Sequence, residues 1–513
     1  MRPLNVVRSM PRGFTLFLFL FLFLFLIVGG FLGCNRGSSS TSTATTPTPP
    51  PVPTATPSSL PAFPLVISGN QRYLQDQNGV PFPILGRTAW FVTSLSEADY
   101  KKFIDDTVAK GYNAIEFHVI NHDPRGNHPP FGGNGALPFT KQLDGSAWAG
   151  SLSYANINEA PDFSQTNEAY WRHIDALLAY AETKGVFCFM FPAYAGAGGG
   201  EAGWMVEMTA NGVSKMTTYG TFLAARYKTR GNIVWMLGGD YGAGANNFTG
   251  PQLAVELAML AGMQGIAGQR SKNFSAEWWG DTIYTDQADA TLRAAGTLEG
   301  AYSFAGHVNT VARKGYAHSP PMPTFLLEEP YDEEGPDGNN VNGSATQPVR
   351  RFQWWGWLSS IGGYISGNGF VWPFNVGVWP NHLNTQGARD MARLNAFVRS
   401  IAWFNLVPSG MGGMGTLVTA GGSSPASSDY VAAAATPDGT LLVAYVPPAH
   451  SGSITIDMTA MSGPMRARWF NPASAAYTLI GTGPFANTGT SSFTPPGDNG
   501  TGFHDWVLLL EKQ

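Results

Sequence analysis

"NIVWMLGGDYGAG" occupies Asn232 to Gly244, and its reading decides the fold. An unbroken apolar run long enough for one strand is followed by two glycines and an aspartate. A strand buried on both faces reads as such a run, and its carboxyl end in a parallel α/β sheet opens onto the ligand-binding face. Asp240 is therefore a candidate for chemistry, with a plain helix cap as the competing role.

The same grammar repeats on either side. Toward the N-terminus, "PILGRTAW" (Pro83 to Trp90), "NAIEFHVI" and "VFCFMFPAY" read as strands. They alternate with helices at "SEADYKKFIDDTVAKG", "TNEAYWRHIDALLAYAETKG" and "VSKMTTYGTFLAARYKTRG". Toward the C-terminus come a helix near Gln252 to Ala267 and strands at "NFSAEWW", "GAYSFAGH", "TFLLEEP" and "GYISGNG", with the helix "PVRRFQWWGWLSSIG" before the last. Eight strands with intervening helices predict an α/β fold of the (β/α)₈ TIM-barrel type. An open doubly wound sheet remains the alternative, although no GxGxxG follows the first strand.

After Trp403 the pattern changes to short alternating runs, with "PDG" as a hairpin signal, which predicts a small all-β sandwich. The expected boundaries are a signal peptide at 1–34, a Ser/Thr/Pro-rich linker at 35–60, the barrel at 61–405 and the sandwich at 406–513. Arg2, Arg8 and Arg12 precede "FTLFLFLFLFLFLIV", and "FLGC" ends at Cys34, so the segment reads as an export signal with a lipobox-like end. Cys34 is then the lipidation site. The expected location is exported, anchored in the outer membrane or at the cell surface, and secreted if the cysteine is incidental. The other cysteine, Cys188, lies inside an apolar run and reads as a core thiol.

The chain has 30 Lys and Arg against 35 Asp and Glu, with three of the arginines inside the signal and no basic run, which argues against nucleic acid as a partner. Fifteen tryptophans suit a protein that stacks on sugar rings, or one with a large core. If the strands close into a barrel, Asp240 and the strand-seven pair Glu328 and Glu329 share one bowl. Two carboxyl groups facing each other are the minimum for breaking a glycosidic bond. Trp90, His118, Tyr194, Trp278, His307, Tyr331, Asn368 and Trp372 also fall at strand ends and are candidate substrate-binding residues. His118 and His122 have zinc-like spacing only on a helix, whereas "EFHVINHDP" reads as strand then turn, so neither a metal nor a cofactor is expected. The long stretch from Asn121 to Thr166 exceeds an ordinary loop and is expected to shape the cleft.

The blocks "PILGRTAW", "NEAYWRHIDALLAYAETKG", "RYKTRGNIVWMLGGD", "EEPYDE" and "RRFQWWGWLSSIGGYISGNGFVWPFN" resemble, in order, the apiosidase-like glycoside hydrolases, family 140. The resemblance implies a retaining hydrolase of pectic side chains, with Asp240 as acid/base and Glu329 as nucleophile. It implies an oligo- or polysaccharide as substrate; the membrane, as a partner reached through a lipid anchor, is expected from the lipobox-like end at Cys34. Strand alternation sends Glu328 outward. Where the family usually reads Gly-Asp-Thr-Ala-Trp this chain has Arg87, which puts the sugar accepted at that rim in question. The C-terminal part is similar to the β-domain that follows the barrel in the family; its collagen-binding label is not carried over, and it is expected to pack on the barrel. The alternative from a different class is a non-catalytic, surface glycan-binding lipoprotein on the same scaffold; the paired Asp240 and Glu329 favour the enzyme.

Overall fold

The computed structural model describes residues 60–122, 132–200, 202–303, 306–328, 330–333 and 349–513. The export segment, Cys34 and the linker up to Ser59 lie outside the described residues, and so does Glu329. No helix among the described residues is long and apolar enough to cross a membrane.

Eight parallel strands form the barrel: β1 (Ile84–Thr88), β2 (Ala114–His118), β3 (Phe187–Phe191), β4 (Ile233–Gly238), β5 (Phe274–Glu277), β6 (Glu299–Tyr302), β7 (Thr324–Leu327) and β8 (Ile361–Ser366). They are joined in the order β5-β4-β3-β2-β1-β8-β7-β6. The remaining seam is closed where the amides of Thr297 and Leu298 donate to the carbonyl of Phe274 at 3.0 and 3.1 Å. Every residue of the eight strands is buried, as expected where side chains fill the interior on one face and meet helices on the other.

The helices are α1 (Glu97–Ala109), α2 (Glu168–Thr183), α3 (Met205–Tyr227), α4 (Gly250–Gln264), α5 (Ala290–Ala295), α6 (Val308–Ala317), α7 (Arg350–Ser360) and α8 (Gln386–Arg399). Ser96 caps α1 by accepting the Asp99 amide, a contact worth about 1 kcal/mol. Helix α3 begins earlier than the sequence pattern indicates and is broken at Gly212, whose φ of 70° suits glycine. Three two-residue strands at Val66–Ile67, Leu74–Gln75 and Pro81–Phe82 form a meander ahead of β1. From it Phe63 and Phe82 pack on Phe187 at ring distances of 6.0 and 5.9 Å, near the start of β3.

The stretch after β2 is a packed insertion in its described part. Phe163 meets Phe139, Trp204 and Tyr219 at 4.5, 5.6 and 5.2 Å. Asn211 of α3 accepts the Phe163 amide and donates to Pro161, each at 2.9 Å. These contacts give the segment a packing role that the expectation of a cleft-shaping loop did not include.

The sandwich has one six-stranded and one three-stranded sheet. It packs on α7, where the Trp354 and Tyr445 rings stack at 5.6 Å and Trp355 donates to the Tyr430 carbonyl at 2.9 Å. One apolar cluster runs from Leu326, Trp354 and Phe397 of the barrel to Val443, Tyr445 and Leu509 of the sandwich. Buried within this junction, Arg350 grips both oxygens of Asp505 at 2.7 Å and one oxygen of Asp390 at 2.6 Å.

Candidate active site

The strand ends bring four carboxyl groups toward one another: Glu116 from β2, Asp240 after β4, Glu277 closing β5 and Glu328 after β7. Asp240 follows Gly238 and Gly239, and the three φ values are 72°, 111° and 52°. A run of left-handed residues takes the chain out of the strand, and the two glycines accept that conformation without a Cβ penalty. Gly239 has a second reason to lack a side chain, since a Cβ there would meet the Tyr194 ring at 2.4 Å.

Asp240 accepts a hydrogen bond from the Tyr302 phenol at 2.8 Å. Burial raises its pKa above the ordinary aspartate value, while the hydrogen bond from Tyr302 pulls it back. A carboxyl group that keeps its proton longer than usual is suited to protonating a leaving oxygen.

Glu328 corrects an expectation. Simple alternation sends it outward, yet it is buried inside the bowl, accepting the Trp90 indole N–H at 3.2 Å and the Tyr331 hydroxyl. Its φ of 65° is the reason: alternation holds only while the backbone stays extended, and the chain turns left-handed at this residue. Its charge also helps raise the pKa of Glu116 and Glu277, in each case after burial. Glu329, implied as nucleophile, is outside the described residues.

Arg87 corrects a second expectation. Its guanidinium leaves the bowl for α1, where it pairs with Asp106 at 2.7 Å and lies over the Phe103 ring at 4.9 Å. At this position the guanidinium ties the strand to the helix.

The candidate binding residues divide. Trp90, His118 and Tyr194 form one aromatic wall, with ring distances of 5.0 Å from Trp90 to His118, 4.3 Å from His118 to Tyr194 and 5.7 Å from Trp90 to Tyr194. Burial, with a smaller effect of His122, lowers the pKa of His118 to about 3, so the ring is neutral. Tyr331 accepts the Trp90 indole N–H at 2.7 Å and faces Trp372 at 6.4 Å, which joins both to this region.

Trp278 does not join it. It is 1% exposed and gives its indole N–H to the Tyr284 carbonyl at 2.8 Å, with Phe248 and Tyr284 as its ring neighbours. Asn368 is a loop tie, donating to Asp332 at 3.1 Å and accepting the amides of Phe370 and Val371. His307 stands half-buried before α6, where burial lowers its pKa. His122 faces Glu207 at 3.3 Å instead of pairing with His118, and among the described residues no group of three or more His, Cys, Asp or Glu could hold a metal ion.

Two carboxylates were missed from the sequence. Glu116 is fully buried with neither oxygen hydrogen-bonded, and Glu277 accepts the Tyr194 phenol at 2.8 Å and the Asp240 amide at 3.1 Å. Burial and neighbouring negative charges raise the pKa of both. An acid inside an otherwise apolar strand, as in "NAIEFHVI" and "NFSAEWW", was the available signal.

A barrel whose strand-four and strand-seven ends carry opposed carboxyl groups, walled by aromatic rings, has the make-up of a glycosidase. The sequence model of the apiosidase-like catalytic domain matches residues 68–405, and the chain belongs to that family of glycoside hydrolases. A model of a collagen-binding-type domain of a collagenase matches residues 419–511. No curated protein matches the chain. Among solved structures, one described as a glycoside hydrolase is 19% identical, covering 88% of this chain and 99% of its own, with a TM-score of 0.68. A glycoside hydrolase family 5 protein from Bacteroides vulgatus is also 19% identical, covering 87% and 93%, with a TM-score of 0.67. At that identity the two structures speak for the fold.

Proposed function

We propose that this enzyme is a retaining hydrolase of pectic side-chain glycans, with apiose-bearing chains as its substrates, held at the cell surface by a lipid on Cys34. The observation that carries the mechanism is Asp240, a carboxyl group of raised pKa placed across the bowl from the end of β7. Asp240 protonates the glycosidic oxygen while a strand-seven glutamate attacks the anomeric carbon. The C–O bond to the leaving group breaks, a glycosyl ester forms, and water activated by the Asp240 carboxylate then releases the sugar. Retention needs the two carboxyl groups about 5 to 5.5 Å apart. The family motif assigns the attack to Glu329. A second reading assigns it to Glu328, favoured by the burial of that side chain in the bowl beside Trp90 and Tyr331. The substrate class rests on the apiosidase-like family match, since no single subsite residue selects apiose.

The test is a screen of the purified enzyme on apiose-bearing pectin fragments and a panel of aryl glycosides, with NMR of the first-formed anomer. A retained anomer from a pectic fragment supports the proposal, and an inverted one overturns it. Azide added to Asp240→Ala is expected to give a glycosyl azide of retained configuration. Of Glu328→Ala and Glu329→Ala, the variant that yields an inverted azide has lost the nucleophile.

A further inference from the structure

Glu277 takes no part in the two-carboxylate scheme, yet it touches the acid/base turn at two points. Its Oε1 accepts the Asp240 amide at 3.1 Å and the Tyr194 hydroxyl at 2.8 Å. Its own carbonyl accepts the Gly239 amide at 2.7 Å. Residue 277 therefore holds two successive amides of the turn that carries Asp240.

That turn needs holding. Asp240 is a non-glycine residue at a φ of 52°, a left-handed conformation uncommon for a residue with a side chain, and hydrogen bonds to the turn help to hold it. Tyr302 fixes the Asp240 carboxyl from the β6 side at 2.8 Å, and Glu277 fixes its backbone from β5. Tyr194, the other donor to Glu277, is itself seated on the His118 ring at 4.3 Å.

We propose that Glu277 is a positioning residue for proton transfer: it sets the Asp240 turn so that the Asp240 carboxyl meets the glycosidic oxygen, and it neither gives nor takes a proton in the reaction. The inference rests on the reading of Asp240 as acid/base. The groups that face Glu277 are Glu116 of β2, Tyr194 after β3, Asp240 after β4, Tyr302 of β6 and Glu328 after β7, all acidic or phenolic. Burial, followed by the charges of Glu328, Asp240 and Glu116, raises the pKa of Glu277, and a carboxyl group accepts through an oxygen in either protonation state.

The experiment compares Glu277→Ala, Glu277→Asp and Glu277→Gln with Asp240→Asn in the full-length enzyme, on a natural oligosaccharide and on an activated aryl glycoside. A misplaced acid matters where the leaving group is poor. Glu277→Ala and Glu277→Asp are expected to lose about 10²-fold in kcat/KM on the oligosaccharide, since kcat/KM stops at formation of the glycosyl ester, the step that needs the acid. On the activated glycoside kcat/KM of both should stay within about threefold of wild type, because its leaving group needs little protonation. Glu277→Gln keeps an acceptor for the Asp240 amide and should retain both rates, with the basic limb of its pH profile unmoved. Equal losses on both substrates, a Gln variant as damaged as Ala, or a displaced basic limb would each overturn the proposal. If Glu277→Ala does not fold, the Asp and Gln variants carry the same comparison. If Asp240→Asn itself shows no dependence on leaving group, the acid/base reading fails and the positioning role falls with it. If Asp240→Asn shows the dependence and the Glu277 variants do not, only the positioning role is lost.

Discussion

Replacing Glu256 with glutamine should stabilise this protein above neutral pH and leave its activity intact. Glu256 lies in α4, fully buried, with Oε1 accepting the Gly238 amide at 3.3 Å and Oε2 without a hydrogen-bond partner. Burial raises its pKa from 4.5 to about 7, against the opposing pull of the Gly238 N–H. Between those two values the folded protein keeps a proton that the unfolded chain has lost. The folded state then binds more protons, so stability falls as pH rises through that window and levels off above it. The interval corresponds to about 3 kcal/mol. Glutamine carries no charge in either state and keeps an acceptor for Gly238, so it removes this pH-dependent loss. The expected result is a stability difference between Glu256→Gln and wild type that is about 3 kcal/mol more favourable to the variant at pH 8 than at pH 4.5. Urea unfolding followed by tryptophan fluorescence at both pH values measures it. A difference that does not change with pH would refute the reasoning, because Glu256 would then be charged in the folded state or solvated there.

Asp505→Ala removes four hydrogen bonds, two from Arg350, one from Tyr445 and one from Asn499, and leaves the buried Arg350 guanidinium with Asp390 as its remaining ion-pair partner. It should cost about 3 to 5 kcal/mol in urea unfolding, with Arg350→Met/Asp505→Leu recovering a large part; a cost below about 1 kcal/mol would contradict that. Arg87→Met should cost about 1.5 to 3 kcal/mol through the lost Asp106 pair and leave the ranking of substrates unchanged, so an altered ranking would return Arg87 to the binding site. Cys34→Ala should move the protein from the membrane fraction to the soluble one, and equal partition of both forms would remove the anchor.

The strands Phe187–Phe191, Ile233–Gly238 and Thr324–Leu327 were legible as apolar runs, and because a barrel buries both faces no alternation was needed to find them. Side-chain direction at the strand ends was less legible. Glu328 and Asp240 sit at positive φ, where the period of two no longer applies, so the rule that places core residues sends Glu328 to the wrong side. Arg87 was assigned by its position in a motif, although its strand neighbours helix α1 and Asp106 lies within reach there. Trp278 was chosen for being aromatic at a strand end, and whether such a ring lines a cleft or fills a core is a matter of tertiary packing. The meander before β1 has strands of two residues, too short to carry any period.

The apolar cluster shared by α7 and the sandwich bears on how this protein can be taken apart. The two family matches meet between residues 405 and 419, which invites expression of the barrel alone. A chain cut there would uncover Trp354, Trp355 and Phe397 to water and leave Arg350 without Asp505. Such a truncate should collect in inclusion bodies, and grafting another β-domain in place of this one would fail unless the graft brought its own tyrosine and aspartate for α7. The boundary visible in the sequence separates two family matches, whereas the unit that must be expressed or engineered whole extends across it.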